Sequence, residues 1–142
     1  MDPPPGAPKP LVIITSNVER QLPDAFLRRC VFFYIPFPDE QRLQDILAAH
    51  FPHTATPLTT SAVALFLELR NAFRLTKKPA TAELLDWVRA LTTVFAPADA
   101  ERCLTQATAQ PQRGSAVIWR LLPALGCLLK LREDVERVTQ ET

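Results

Sequence analysis

Apolar residues come first in two short continuous runs and then, further along the chain, at helical spacing. Residues 11–15 and 31–37 are rich in Val, Ile, Phe and Tyr and are bounded by turn residues. Continuous apolarity is typical of strands that are covered on both faces, as in a parallel sheet. Between the runs, the pattern predicts a short helix around Asp24–Arg29, with Pro23 near its first turn. Strand, helix and strand in this order predict a right-handed crossover unit.

From Pro38 onward, the apolar positions recur with the period of an α-helix. Asp39 is predicted to cap one helix, and a Pro/Thr loop at residues 52–60 leads to a second. Thr81 is predicted to cap a third helix, with Glu83 in its first turn. The predicted buried positions, helix by helix, are Leu43, Ile46, Leu47 and Phe51; Ala62, Leu65, Phe66, Leu69 and Phe73; and Leu84, Trp87, Val88 and Leu91.

The last third of the chain has a weaker pattern. The segment after Pro97 is predicted to be less regular, and a final helical stretch runs from about Ser115 to Val138. Pro123 lies within this stretch and either kinks the helix or begins a second one. The sequence therefore predicts an α/β fragment, with two parallel-type strands and a short crossover helix, followed by an all-α helical bundle.

The composition is that of an ordinary soluble domain, with 47% hydrophobic and 22% charged residues in a chain of 142. A net charge of +1 creates no global field, so neither nucleic acid nor membrane is predicted as a partner. Cys30, Cys103 and Cys127 are odd in number and far apart in the sequence. This favours buried, reduced thiols in a cytoplasmic protein.

Two segments and the helical tail resemble the C-terminal half of a MoxR-type AAA+ ATPase. The segments are Ile13-Ile-Thr-Ser-Asn17 and Leu22-Pro-Asp-Ala-Phe-Leu-Arg-Arg29. The resemblance implies four regions, of which the third is the lid that closes over nucleotide. They are a Pro-rich loop (1–10), the C-terminal part of an AAA+ α/β nucleotide-binding core (11–38), a helical lid domain (39–95) and a C-terminal helical extension (96–142).

The same resemblance implies catalytic roles for three side chains. Asn17 corresponds to sensor 1, since a neutral amide can hydrogen-bond both the γ-phosphate and the attacking water. Arg29, with Arg28 as the alternative, corresponds to the arginine finger that reaches the neighbouring subunit's site. Adjacent helical residues point about 100° apart, so only one of the two arginines can face a given neighbour. In the other interpretation, Asn17 only caps a turn and the arginines are solvated surface charges.

The resemblance also implies a cation, called sensor 2, at the start of the third lid helix. Members of the main branch have an arginine there, whereas this chain reads Lys77-Lys-Pro-Ala-Thr-Ala-Glu83. Lys78 or Lys77 is therefore the candidate nucleotide-binding cation, as a point charge rather than a planar fork. Arg70 and Arg74 extend this basic patch, which binds a nucleotide phosphate, binds a partner's acidic face or is simply solvated.

The nucleotide cradle of the family is missing from the sequence. There is no Gly-x-x-x-x-Gly-Lys-[Ser/Thr] loop, and no apolar strand ends in Asp-Glu to hold magnesium. ATP and Mg²⁺ are thus implied by the family alone, and we predict that this chain does not hydrolyse ATP by itself. Pro-rich residues 3–10 resemble the loop that precedes the sensor 1 strand in the family, so we expect the gene start to be placed too late. The alternatives are that the two predicted strands pair directly or that the chain needs another polypeptide. No metal is predicted, because His50 and His53 lack a third ligand.

Two functions remain open. In the first, the chain is a partial AAA+ module that contributes sensor 1, arginine finger and lid to ATP-driven remodelling of partner proteins. The family then implies a homo-oligomeric, hexamer-type ring or an intact AAA+ subunit as neighbour, and a von Willebrand factor A domain as partner. In the second, the chain is a stand-alone, hydrolysis-deficient helical interaction or adaptor protein.

Overall fold

The computed structural model describes residues 11–16, 22–109 and 116–140. The chain divides into two compact units, Met1–Pro36 and Phe37–Thr142. The described residues form seven α-helices, and a short 3₁₀ turn at Leu125–Cys127 follows the sixth. The helices are α1 (Asp24–Leu27), α2 (Glu40–His50), α3 (Thr56–Ala72), α4 (Thr81–Val94), α5 (Pro97–Ala109), α6 (Ala116–Leu121) and α7 (Arg132–Gln140).

The predicted α/β fragment is wrong for the described part of the N-terminal unit, which contains helix α1 but no strand. The apolar side chains at residues 11–14 and 31–35, here called the apolar segments, are 59–100% exposed. A strand is defined by backbone hydrogen bonds to a neighbour, and the two segments do not pair with each other. The hydrophobic pattern predicts that these side chains favour burial, but it does not supply the partner strand that a β-sheet requires.

Helices α2, α3 and α4 confirm the helical predictions. Asp39 caps α2, since its carboxylate accepts a hydrogen bond from the backbone amide of Arg42 at 2.8 Å. Of the thirteen predicted core positions, Ile46 and Phe51 are only partly buried. The other eleven belong to the single hydrophobic core of the helical unit.

Two boundaries of these three helices differ from the prediction. Helix α3 begins at Thr56, inside the predicted loop at 52–60, because Pro57 is compatible with the first helical turn. Helix α4 has Ala80, rather than Thr81, at its N-cap. There the carboxylate of Glu83 accepts a hydrogen bond from the Ala80 amide at 3.0 Å, which satisfies one of the unpaired amides of the first turn.

The segment after Pro97 is a regular helix, α5, and the prediction of irregular structure is wrong. Pro97 occupies the first helical position, and Asp99 lies in the first turn. Ala100, Leu104 and Ala107 form its buried stripe, and α5 packs mainly against α3. The stripe is narrow because two of its three residues are alanines, which explains the weak sequence signal.

Pro123 neither kinks a helix nor begins one. Helix α6 ends at Leu121, and Pro123 lies in the turn that follows. Ala124 then adopts a left-handed backbone conformation with φ of 56°. The indole nitrogen of Trp87 on α4 donates a hydrogen bond to the carbonyl of Pro123 at 2.8 Å and thereby ties this turn to the core.

Candidate functional site

Arg28 and Arg29 follow directly after helix α1. Pro23 stands at the N-cap of this helix and Asp24 in its first turn. The amide of Arg28 still bonds to the Asp24 carbonyl at 3.1 Å, and the amide of Arg29 bonds to Phe26 at 3.0 Å. The two arginines therefore sit in the closing turn of a four-residue helix rather than within it. Both are exposed, so a guanidinium from either can reach another molecule.

Asn17, the residue matched to sensor 1, lies outside the described residues. Arg28 and Arg29 belong to the N-terminal unit, whereas Lys77 and Lys78 belong to the helical unit. The two cations of each pair are neighbours in the sequence, and the two pairs belong to different units.

Lys77 and Lys78 lie on the loop between α3 and α4, here called the lysine loop (residues 73–80). Both lysines are exposed, whereas Pro79 beside them is buried. Five hydrogen bonds between the loop backbone and side chains outside the loop fix its position. A loop that is held in this way presents its charged side chains from a defined backbone position.

Asp134 on α7 supplies two of these hydrogen bonds. Its Oδ1 accepts from the amide of Thr76 at 2.7 Å, and its Oδ2 accepts from the amide of Lys77 at 3.0 Å. The Asp134 side chain is buried, and the guanidinium of Arg137 lies 3.6 Å from it. Arg137 also donates a hydrogen bond to the carbonyl of Arg74, so α7 holds the loop backbone at this residue as well.

The charge of Asp134 is stabilised locally. Burial by itself raises the pKa of this carboxyl, but hydrogen bonds from Lys77 and Thr76 and the charge of Arg137 act in the opposite direction. Their combined effect holds the pKa of Asp134 below its usual value. The ionised carboxylate is therefore the form that the folded protein favours.

Arg70 holds the other end of the lysine loop. Its guanidinium donates a hydrogen bond to the Pro79 carbonyl and lies 3.7 Å from the ring centroid of Phe37. The Phe37 ring in turn stacks on Phe66, with centroids 6.2 Å apart. Burial lowers the pKa of Arg70. Arg70 thus stabilises the position of the loop. The exposed part of the predicted basic patch consists of Arg74, Lys77 and Lys78.

The exposed cations fit a phosphate group better than a metal ion. Ammonium and guanidinium groups donate to phosphate oxygens, whereas magnesium requires oxygen ligands such as carboxylates. Within the described ranges, no group of three His, Cys, Asp or Glu side chains could hold a metal ion.

The predicted burial of all three cysteines is wrong. Cys30 is exposed, Cys103 and Cys127 are partly buried, and all three thiols are free. Burial raises the pKa of the Cys103 thiol, which makes it a poorer nucleophile than an exposed cysteine.

Asp134, which fixes the lysine loop, is not singled out by any motif in the sequence. One signal was present in the sequence. Asp134 precedes the fully buried Val138 by four residues, so both lie on the same face of α7. A carboxylate on the buried face of a helix requires polar partners, and the amides of the lysine loop supply them.

Comparison with protein-family models, with curated proteins and with solved structures finds no match to this chain. Among the described residues, no helix is both long enough and apolar enough to cross a membrane.

Proposed function

We propose that this chain is a partial module of a MoxR-type AAA+ ATPase, which acts with another polypeptide in ATP-driven remodelling of partner proteins. It contributes the arginine finger and the helical lid, whereas the phosphate loop and the magnesium ligands come from elsewhere. The observation that carries the proposal is the exposed Arg28–Arg29 pair in the closing turn of α1, at the end of the Pro23-Asp-Ala-Phe-Leu-Arg-Arg29 segment.

The proposed chemistry is charge neutralisation during phosphoryl transfer. The transferring phosphoryl group requires an oriented water and positive charge around its oxygens. Arg29 supplies a guanidinium, which stays charged, to the nucleotide of the neighbouring subunit, whereas Lys78 on the lysine loop supplies a positive charge to the nucleotide beneath this chain's own lid. Asn17 would orient the water as sensor 1. The client remains, as the family implies, a protein such as one with a von Willebrand factor A domain. A cytoplasmic location, where ATP is available, follows from the same proposal.

A finger-rescue assay tests the proposal. The chain is added to a ring-forming MoxR-type ATPase whose own finger arginine has been replaced by alanine. We expect the wild-type chain to restore steady-state ATP turnover, since an arginine finger contributes about 10³- to 10⁵-fold to the rate. The chain alone should show no turnover, because it lacks the phosphate loop.

Two variants and one control make the assay specific. Arg29→Ala should abolish the rescue, whereas Arg89→Ala, which removes an exposed arginine from a surface pair on α4, should not. If Arg28→Ala loses the rescue and Arg29→Ala does not, then Arg28 is the arginine finger. No rescue by the wild-type chain, or full rescue by both Arg28→Ala and Arg29→Ala, would contradict the finger role.

The exposed apolar segments favour a second candidate function, a helical interaction or adaptor protein. Contiguous exposed apolar surface marks sites of protein association. An adaptor would bind its target through this surface whether or not Arg29 is present. Binding to the same ATPase ring that is unchanged in Arg29→Ala, but lost when Val31 and Phe33 are replaced by lysine, would favour the adaptor.

A further inference from the structure

The lysine loop is fixed by a helix that is far away in the sequence. Asp134 lies 58 residues beyond Thr76 and 57 beyond Lys77, yet its two carboxylate oxygens accept one amide hydrogen each from them. Each oxygen has its own donor, so the carboxylate fixes the orientation of two consecutive peptide groups. Lys77 is one of the two residues whose amides are fixed, and Lys78 is the next residue in the sequence.

Among the described residues, few groups act on the Asp134 carboxylate. Arg137 is the cation beside it on α7, and the lysine loop contributes the donors of Thr76 and Lys77. Arg137 is itself held by the Arg74 carbonyl of the same loop. The carboxylate charge therefore acts on the loop backbone, and the exposed ammonium of Lys78 stays available to solvent.

We propose that Asp134 is a positioning residue for phosphate recognition by the lysine loop. This inference rests on the proposed function, in which Lys78 on the lysine loop supplies a positive charge to the nucleotide. Asp134 does not touch the ligand. It holds the backbone from which the exposed Lys78 side chain reaches a triphosphate, and the C-terminal helix α7 thereby controls the lid's affinity for nucleotide.

A structural role alone would have a different consequence. If Asp134 only stabilised the fold, any α7 substitution of equal cost in stability would affect phosphate binding equally. Val138 provides this comparison, because it is fully buried on the same helix and its side chain forms no hydrogen bond to the loop.

The experiment titrates the ¹⁵N-labelled full chain with inorganic triphosphate at low salt and follows the amide signals of the lysine loop by NMR. The wild-type chain should bind weakly, with shifts centred on Lys77 and Lys78, and Lys77→Ala/Lys78→Ala should lose them. Asp134→Asn should weaken binding at least about tenfold, which corresponds to about 1.4 kcal/mol. In the same variant, the Thr76 and Lys77 amides should lose protection from hydrogen exchange. Val138→Ala, measured where it is fully folded, should bind like the wild type.

The possible results distinguish a positioning role of Asp134 from a purely structural one. Wild-type affinity in Asp134→Asn, with binding still dependent on the lysines, would overturn the positioning role and leave the lysine contact intact. Equal losses in Asp134→Asn and Val138→Ala would reduce Asp134 to a structural residue. Triphosphate binding that is absent, or independent of the lysines, would overturn both the inference and the lid contact, whereas the finger-rescue assay tests the arginine separately. If Asp134→Asn does not fold, Arg137→Ala disturbs the same carboxylate and should show a smaller loss in the same direction.

Discussion

At the scale of single residues, Asp134 is the side chain with the most defined electrostatic environment. A buried carboxylate is tolerated only while hydrogen bonds and a nearby cation compensate for lost hydration. Here the amides of Thr76 and Lys77 and the guanidinium of Arg137 provide that compensation. Their net effect is to lower the pKa of Asp134 below its usual value of 3.8. This direction determines how the stability depends on pH.

We expect Asp134 to contribute stability that is lost in acid. Because the folded pKa is depressed, the unfolded chain binds the proton more readily, and stability rises with pH in this range. The contribution is fully present above the unfolded pKa, near 3.8, and disappears as the pH falls through the folded pKa. Urea unfolding of Asp134→Asn between neutral and acid pH should show a flatter pH dependence, and a loss of about 1–3 kcal/mol at neutral pH from the two poorly satisfied amides.

Asp99→Asn is the matched control for this titration. Asp99 pairs with Arg102 on the exposed surface of α5, where ion pairs contribute little. Its replacement should leave the acid dependence of unfolding nearly unchanged. A pH profile of Asp134→Asn that parallels the wild type would show that this carboxylate does not govern the acid transition.

At the scale of elements, periodicity predicted the helices whose apolar stripes are wide. Helices α2, α3 and α4 carry Leu, Phe and Trp at helical spacing, and residues of these three helices form just over half of the described core. Helix α5 escaped detection because alanines supply most of its stripe. The turn at Pro123 could not be predicted either, since the left-handed Ala124 carries none of the usual glycine or asparagine signal.

The missing strands and the missed carboxylate have a common physical cause. A strand in residues 11–15 depends on a partner that the local sequence does not encode, and the same holds for residues 31–37. The burial of Asp134 likewise depends on a loop 57 residues away. Local patterns predict local structure well, whereas both of these features depend on contacts between distant parts of the chain.

Helix α5 provides a direct test of its place in the core. Leu104 is fully buried on α5, which packs mainly against α3, so Leu104→Ala should destabilise the protein by about 2–5 kcal/mol through lost burial and a residual cavity. Gln106→Ala, an exposed position on the same helix, should change stability by less than about 0.5 kcal/mol. Both values come from urea unfolding followed by circular dichroism. Equal small effects for the two variants would mean that α5 does not contribute to the core.

At the scale of the whole molecule, the two units differ in how they treat apolar residues. The helical unit encloses most of its large apolar side chains, including Trp87 and Trp119, in one core. The N-terminal unit exposes nine large apolar side chains in its two apolar segments. A chain with this distribution has a well-formed helical domain and an apolar surface that favours association with other polypeptides.

We therefore expect the purified chain to self-associate through the apolar segments, in a concentration-dependent way. Val31 is fully exposed and Phe33 is 82% exposed, so replacing both with lysine should remove apolar contact area and add charge repulsion without disturbing the core. Sedimentation velocity should show larger species for the wild type and a monomer for the double variant. The matched control is Val94→Lys, which changes an isolated exposed valine at the end of α4 and should associate like the wild type. If the wild type remains monomeric at high concentration, or if Val94→Lys prevents association equally well, then the apolar segments are not the associating surface. The helical unit should stay folded in all three proteins, because none of these residues belongs to its core.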